Sequence, residues 1–189
     1  LGLDGEEELI GNGISFCAVC DGAFYAGQEV AMIGGGNSAL QEALLLADVC
    51  KSVTIVQNLA FFTGEQKLVD ALAEKDNVSV RFSTLVAGYE SENGQLTGLK
   101  LRNDVTGEED RIRVDGAFLA VGLMPENEAF AAFADLNDWG YFDSAEDCVT
   151  KTEGLFVAGD CRSKRIRQVV TASADGAIAA MAACQYLDK

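Results

Sequence analysis

Histidine is absent from the 189 residues. This excludes a Ser-His-Asp or Cys-His hydrolase, a His-ligated zinc enzyme and any imidazole proton shuttle built from this chain alone. Proton transfer falls to carboxylates, thiols or a cofactor. Bases are scarce: 14 Lys and Arg stand against 30 Asp and Glu, a formal charge of -16. That is the wrong sign for gripping phosphate backbones, so no nucleic-acid partner is expected. Proline occurs once while 49% of residues are hydrophobic, which argues against disorder and for a real core. No apolar run approaches the roughly 20 residues that span a bilayer, and no basic, signal-like segment opens the chain. A soluble, cytoplasmic protein without membrane contact is expected. An initiator methionine is also missing, and the polar opening from Leu1 to Gly13 suggests a piece of a longer protein.

Six cysteines are present, too few for a stapled secreted domain. Cys50, Cys148, Cys161 and Cys184 stand apart and read as structural thiols. Cys17 and Cys20 form Cys-Ala-Val-Cys, which is either a redox dithiol or half of a zinc site. Zinc needs two further ligands, ordinarily another close pair or histidines, and neither exists. The redox reading is favoured over an inert reduced pair. Asp21 follows directly and is the natural proton donor and acceptor, although Asp21-Gly22 is also a good turn.

Strands and helices alternate along the chain. Strands are expected at Glu29–Ile33, Ser52–Val56, Val78–Phe82, Ala117–Val121 and Leu155–Ala158. Helices are expected at 37–49, capped by Asn37, at 64–75 and at 169–186. Between Thr84 and Val114 period-two alternation and the turn pair Asn93-Gly94 indicate a small β-meander. The fold class is α/β.

Gly34-Gly35-Gly36-Asn37-Ser38-Ala39 fits G-x-G-x-x-A between an apolar strand and an amphipathic helix. Gly34 permits the tight turn, Gly36 lets a pyrophosphate approach the backbone, and Ala39 keeps helix and sheet close. The amides at the helix start, from Asn37 and Ser38 onward, would face the phosphates. A bare packing turn is the alternative. At the end of the second strand an acid selects NAD and arginines select the 2'-phosphate of NADP. Here the residues are Gln57, Asn58 and Leu59. The two amides could bond a neutral ribose, but nothing balances a dianionic phosphate, and the first 50 residues hold eight acids and no base. NADH is expected over NADPH.

Cys17-Ala18-Val19-Cys20-Asp21-Gly22 ahead of Gly34–Ala39 resembles the low-molecular-weight thioredoxin reductases, in which the dithiol sits inside the nicotinamide-binding domain. Ala120-Val121-Gly122 with Pro125 resembles that family's return strand. Gly154 to Asp160, then Arg167-Gln168-Val169 and Asp175-Gly176-Ala177, resemble its C-terminal FAD-binding motif. The resemblance implies a Rossmann-like nicotinamide-binding domain over 1–124, carrying the dithiol and the meander, and the C-terminal part of an FAD-binding domain over 125–189. Electrons would pass from a nicotinamide through FAD to the dithiol and on to a thioredoxin-like protein disulfide, in a homodimer. Cys20 would face the flavin, Cys17 would attack the partner disulfide and Asp21 would move protons. Asp160 would bond the ribityl chain, with Gly122 and Gly159 in the cofactor-binding turns, and the amides near Gln168 and Val169 would stabilise charge on the reduced flavin.

The sequence departs from the family twice. Only one glycine fingerprint is present, so FAD binding by this chain alone is expected to be weak or absent. The family's His-Arg-Arg run with a further Arg is replaced at Gln57, Asn58, Leu59 and Thr63. Two other readings stay open, an FAD-dependent dithiol oxidase using oxygen and an inactive nucleotide-binding fragment. Arg162, Lys164, Arg165 and Arg167 are read either as a solvated loop or, with Arg167 foremost, as positive charge beside flavin and dithiol.

Overall fold

The apolar runs of the first two-thirds of the chain assemble, in a computed structural model, into one parallel sheet. The structure describes residues 1–122 and 124–188, divided into two compact units, Leu1–Val121 and Gly122–Lys189. The first unit contains helices α1 (Glu6–Leu9), α2 (Ala18–Asp21), α3 (Asn37–Val49) and α4 (Gln66–Ala73). Its strands are β1 (Ile14–Ser15), β2 (Glu29–Ile33), β3 (Ser52–Val56), β4 (Val78–Arg81), β5 (Thr84–Glu92), β6 (Gln95–Asn103), β7 (Glu109–Arg113) and β8 (Gly116–Leu119). The sheet order is β1-β8-β2-β3-β4, all parallel. Strands β5, β6 and β7 form a separate antiparallel meander. Its first hairpin turns at Asn93 (φ 52°) and Gly94 (φ 77°), the left-handed pair that a two-residue hairpin loop requires.

The period of two along each strand assigns the two faces of the sheet. Val30, Met32, Val53, Ile55 and Phe118 pack with Ala39, Leu40, Ala43 and Leu46 of α3. Ala31, Ile33, Val56, Ala117 and Leu119 face the other way, onto Leu96, Leu99 and Leu101 of the meander. The sheet lies between a helical layer and a β layer, and a Rossmann-like α/β fold with an antiparallel meander is the result. Helix α3 starts and ends where its periodicity indicates. Its cap does not: Gly36 occupies the cap position with no side-chain cap, and Asn37 is the first helical residue. Helices α1 and α2 and strand β1 have no sequence signal, because four residues and two residues are too short to display a period.

The second unit has one long helix, α5 (Val169–Leu187), and a short 3-10 turn at Glu128–Phe130. Its core is small: Ala134, Phe142 and Val157, with Leu136 and Cys161 packed against them. The strand expected at Leu155–Ala158 does not form. Only an isolated bridge joins Phe156 to Val149. An apolar run becomes a strand only beside a continuous backbone partner, and here the pairing is limited to Thr150 with Leu155 and Val157 with Cys148. Helix α5 is apolar nearly all round, yet Asp175 is its one buried residue.

Candidate functional site: a disulfide turn and a glycine turn

Strand β1 ends at Ser15, and three residues later, at Ala18, the chain enters α2. Cys17, in extended conformation, is the cap of α2, and its sulfur accepts the Cys20 amide at 3.1 Å. Cys17 and Cys20 are joined as a disulfide, with Cα atoms 5.3 Å apart. Cys17 is half-buried and Cys20 exposed. Ser15 is buried, and its hydroxyl donates to Asp21 Oδ2 at 2.6 Å while accepting the Cys17 amide at 3.1 Å. Cys17, Cys20 and Asp21 are thus brought together, with the carboxylate aimed by a serine that sequence reasoning missed. Glu42 on α3 was missed as well. Its carboxylate accepts the Ala18 amide at 2.9 Å. Burial pushes the Glu42 carboxyl up from its ordinary value, against the opposing pull of that amide. Burial, and secondarily the charge of Asp21, likewise pushes the Tyr25 phenol up. An amphipathic pattern counts Glu42 only as a polar position on a helix, so no local signal points to it.

The glycine turn leads from β2 into α3. Gly34 has φ 129°, and a Cβ there would stand 2.6 Å from the Ala120 carbonyl oxygen. The fold itself demands this glycine. Gly36 differs: its φ is -86°, and a Cβ would meet only Thr63 Oγ1, at 3.7 Å. Neither backbone nor packing requires glycine at 36, so the space beside it is free for a ligand. Ala39 is fully buried, close to Gly34, as the fingerprint needs. Asn37 and Ser38 are exposed. The Asn37 carboxamide is engaged with Glu65, accepting its amide at 2.7 Å and donating to its carboxylate at 3.3 Å.

At the end of β3, Gln57 is buried, with its amide donating to the Phe61 carbonyl at 3.1 Å and its side chain lying against Gly35. Asn58 is exposed. Arg81 of β4, which pairs with Val56 of β3, has its guanidinium 3.5 Å from Asp110.

In the second unit Gly122 (φ 100°) is exposed with open space around it. Gly159 (φ 89°) donates its amide to Asp175 Oδ2 at 3.1 Å, and Asp160 is exposed. Arg167 donates to the Asp160 carbonyl at 3.2 Å and lies over the Tyr141 ring at 3.9 Å, within reach of a cation–π contact. Gln168 and Val169 open α5, where Gln168 and Thr171 form a capping box. The solvated-loop reading of the basic run is overturned for Arg162 and Lys164. Both are directed onto buried Asp175, at 2.8 Å and 2.6 Å. Arg162 also donates to Ser144 Oγ and the Ala145 carbonyl. Burial alone would push the Asp175 carboxyl up, but the Lys164 hydrogen bond, the Gly159 amide and the Arg162 charge together hold it below its ordinary 3.8. A charge run becomes interior when one buried carboxylate gathers it, which sequence adjacency cannot show.

Among the described residues no cluster of Cys, Asp and Glu has the grouping to hold a metal ion, and no helix is long and apolar enough to cross a membrane.

Fold and disulfide together define a Rossmann-like α/β module that carries an accessible dithiol pair ahead of its glycine turn. The chain belongs to the pyridine nucleotide-disulphide oxidoreductase family, whose pattern matches residues 1–176. It is 38% identical over 189 residues to a thioredoxin reductase of Bacillus subtilis, covering 100% of this chain and 60% of that protein. It is 39% identical to one of Listeria monocytogenes, of which it covers 59%. The solved thioredoxin reductase of Streptococcus pyogenes superposes with a TM-score of 0.88 at 32% identity, over 100% of this chain and 61% of that one. The chain therefore spans about three-fifths of the length of the relatives it matches.

Proposed function

We propose that this chain is the dithiol-bearing part of a flavin-dependent disulfide reductase, taking electrons from a nicotinamide and delivering them to a thioredoxin-like protein disulfide in the cytoplasm. The observation that carries the proposal is the Cys17–Cys20 disulfide, accessible at Cys20 and set beside a carboxylate that a buried serine holds. Reduction takes two electrons and two protons and breaks the Cys17–Cys20 bond. Cys17 as thiolate then attacks a sulfur of the partner disulfide, and Cys20 resolves the mixed disulfide, releasing the partner as a dithiol. Asp21 gives and takes the protons, with Ser15 fixing which way its carboxylate points.

The residues present fit a dinucleotide at the glycine turn. The open space beside Gly36 and the side-chain-free cap of α3 leave room and amides for a pyrophosphate. NADH is favoured over NADPH, since Asn58 and Leu59 at the end of β3 carry no charge to balance a 2'-phosphate. FAD, when bound, relays electrons between nicotinamide and disulfide. Asp160, Gly159, Arg167 and the opening of α5 at Gln168 and Val169 are the residues that would hold it, as part of an FAD-binding domain over 125–189. By itself this chain is expected to hold FAD weakly, because it carries a single glycine fingerprint. Phe16, Val19 and Phe24, all exposed around the dithiol segment, suit a protein rather than a small-molecule disulfide. The working assembly is a homodimer.

The direct test uses the purified chain. After chemical reduction it should pass its electrons to an oxidised thioredoxin-like protein in stoichiometric amount, and the Cys20→Ser variant should trap a mixed disulfide through Cys17. Absence of both transfer and trapping would refute the proposal. Calorimetry showing NADPH bound more tightly than NADH would refute the nucleotide preference, and stoichiometric flavin surviving gel filtration would refute weak FAD binding.

A further inference from the structure

Side-chain hydrogen bonds hold the turn that contains the disulfide. Ser15 contacts Cys17 and Asp21 from the end of β1, and one further bond comes from another element: Glu42 of α3 accepts the amide of Ala18, the first residue of α2. Ala18 is one peptide unit from Cys17 and is itself buried. Helix α3 is the one that begins at the glycine turn, so a single helix both presents the nucleotide-binding amides and reaches the dithiol.

We infer that Glu42 is a positioning residue for the dithiol, holding the opening of α2 with its carboxylate and, through its charge, keeping the reduced Cys17–Cys20 pair a strong reductant. The inference rests on the proposed dithiol function. Amides at a helix start favour a thiolate placed there, as does the Cys20 amide that points at Cys17 sulfur. A carboxylate seated on the first of those amides opposes them, because like charge disfavours the thiolate. Glu42 is half-buried, so solvent screens it less than a surface acid. Asp21, the other carboxylate of the turn, is engaged by Ser15 and lies at the far end of α2. The acid at the start of α2 thus governs how strongly the pair resists reduction, and the acid at its end handles protons.

The experiment equilibrates the chain with glutathione at fixed pH. Two glutathione thiols are oxidised to one glutathione disulfide for each Cys17–Cys20 bond broken. The reduced fraction is read by alkylation and mass spectrometry of the peptide holding both cysteines. Glu42→Gln keeps an acceptor for the Ala18 amide but removes the charge. It should leave amide exchange at Ala18 unchanged and shift the equilibrium towards the dithiol about tenfold, or about 30 mV for this two-electron couple. Glu42→Ala removes both and should also speed exchange at Ala18. An equilibrium for Glu42→Gln within about twofold of wild type overturns the inference, whatever Glu42→Ala does. A wild-type pair that never equilibrates with glutathione overturns both the inference and the dithiol reading beneath it, so the two failures are distinguishable.

Discussion

The two units hold themselves together by opposite means. The first buries two apolar layers on the two faces of one sheet. The second has three buried apolar side chains in its core and is organised around a buried carboxylate, Asp175, which gathers Arg162, Lys164 and the Gly159 amide. Helix α5 is more apolar than α3, yet Val169, Val170, Met181 and Leu187 are exposed. The lesson is that hydrophobicity stabilises only where the fold supplies something to pack against. Helix α3 has a sheet beneath it; α5 presents exposed apolar surface over the described residues.

The largest expected effect breaks the second unit at its polar centre. Asp175→Asn leaves Arg162 and Lys164 without a counter-charge in the interior and should cost about 3–5 kcal/mol. Unfolding followed through the only tryptophan, Trp139 in the second unit, reports it. Hydrogen exchange over 1–121 should remain at wild-type rates. Acid should reproduce the loss. Because the folded carboxyl titrates below its ordinary 3.8, its contribution is complete above that value and disappears as pH falls through the lower folded one. A second unit that loosens instead as pH rises towards neutrality would contradict this assignment.

The matching break in the first unit is apolar. Leu46→Ala, at a fully buried position of α3, should cost about 2–5 kcal/mol in chemical denaturation. Met181→Ala on exposed α5 should stay within about 0.5 kcal/mol. Equal costs would erase the contrast between the two helices.

The smaller effects separate the two glycines of the nucleotide turn. Gly34→Ala should destabilise the first unit by about 1–3 kcal/mol, since it combines a left-handed φ with a clash at the Ala120 carbonyl. Gly36→Ala should leave thermal stability within about 0.5 kcal/mol and weaken dinucleotide binding about tenfold, or about 1.4 kcal/mol. Unchanged nucleotide affinity in Gly36→Ala would remove the pyrophosphate from that position.

Local pattern was a reliable guide wherever a segment was long enough to show a period and its partner was a neighbour in sequence. Strands β2 and β3, helix α3, the Asn93-Gly94 hairpin, the glycine turn and the Cys17–Cys20 pair were all legible, because alternation, helical spacing and glycine chemistry are properties of a few consecutive residues. What tertiary structure alone decided depends on partners brought from elsewhere in the chain. Leu155–Ala158 has the composition of a strand and lacks a continuous edge to pair with. Asn37 has the chemistry of a cap and is drawn instead to Glu65. Arg162 and Lys164 read as a surface run until Asp175 gathers them. Glu42 reaches Ala18 from 24 residues away. Hydrogen bonds and ion pairs are short-ranged and selective, so their partners are settled only once the fold has placed both ends.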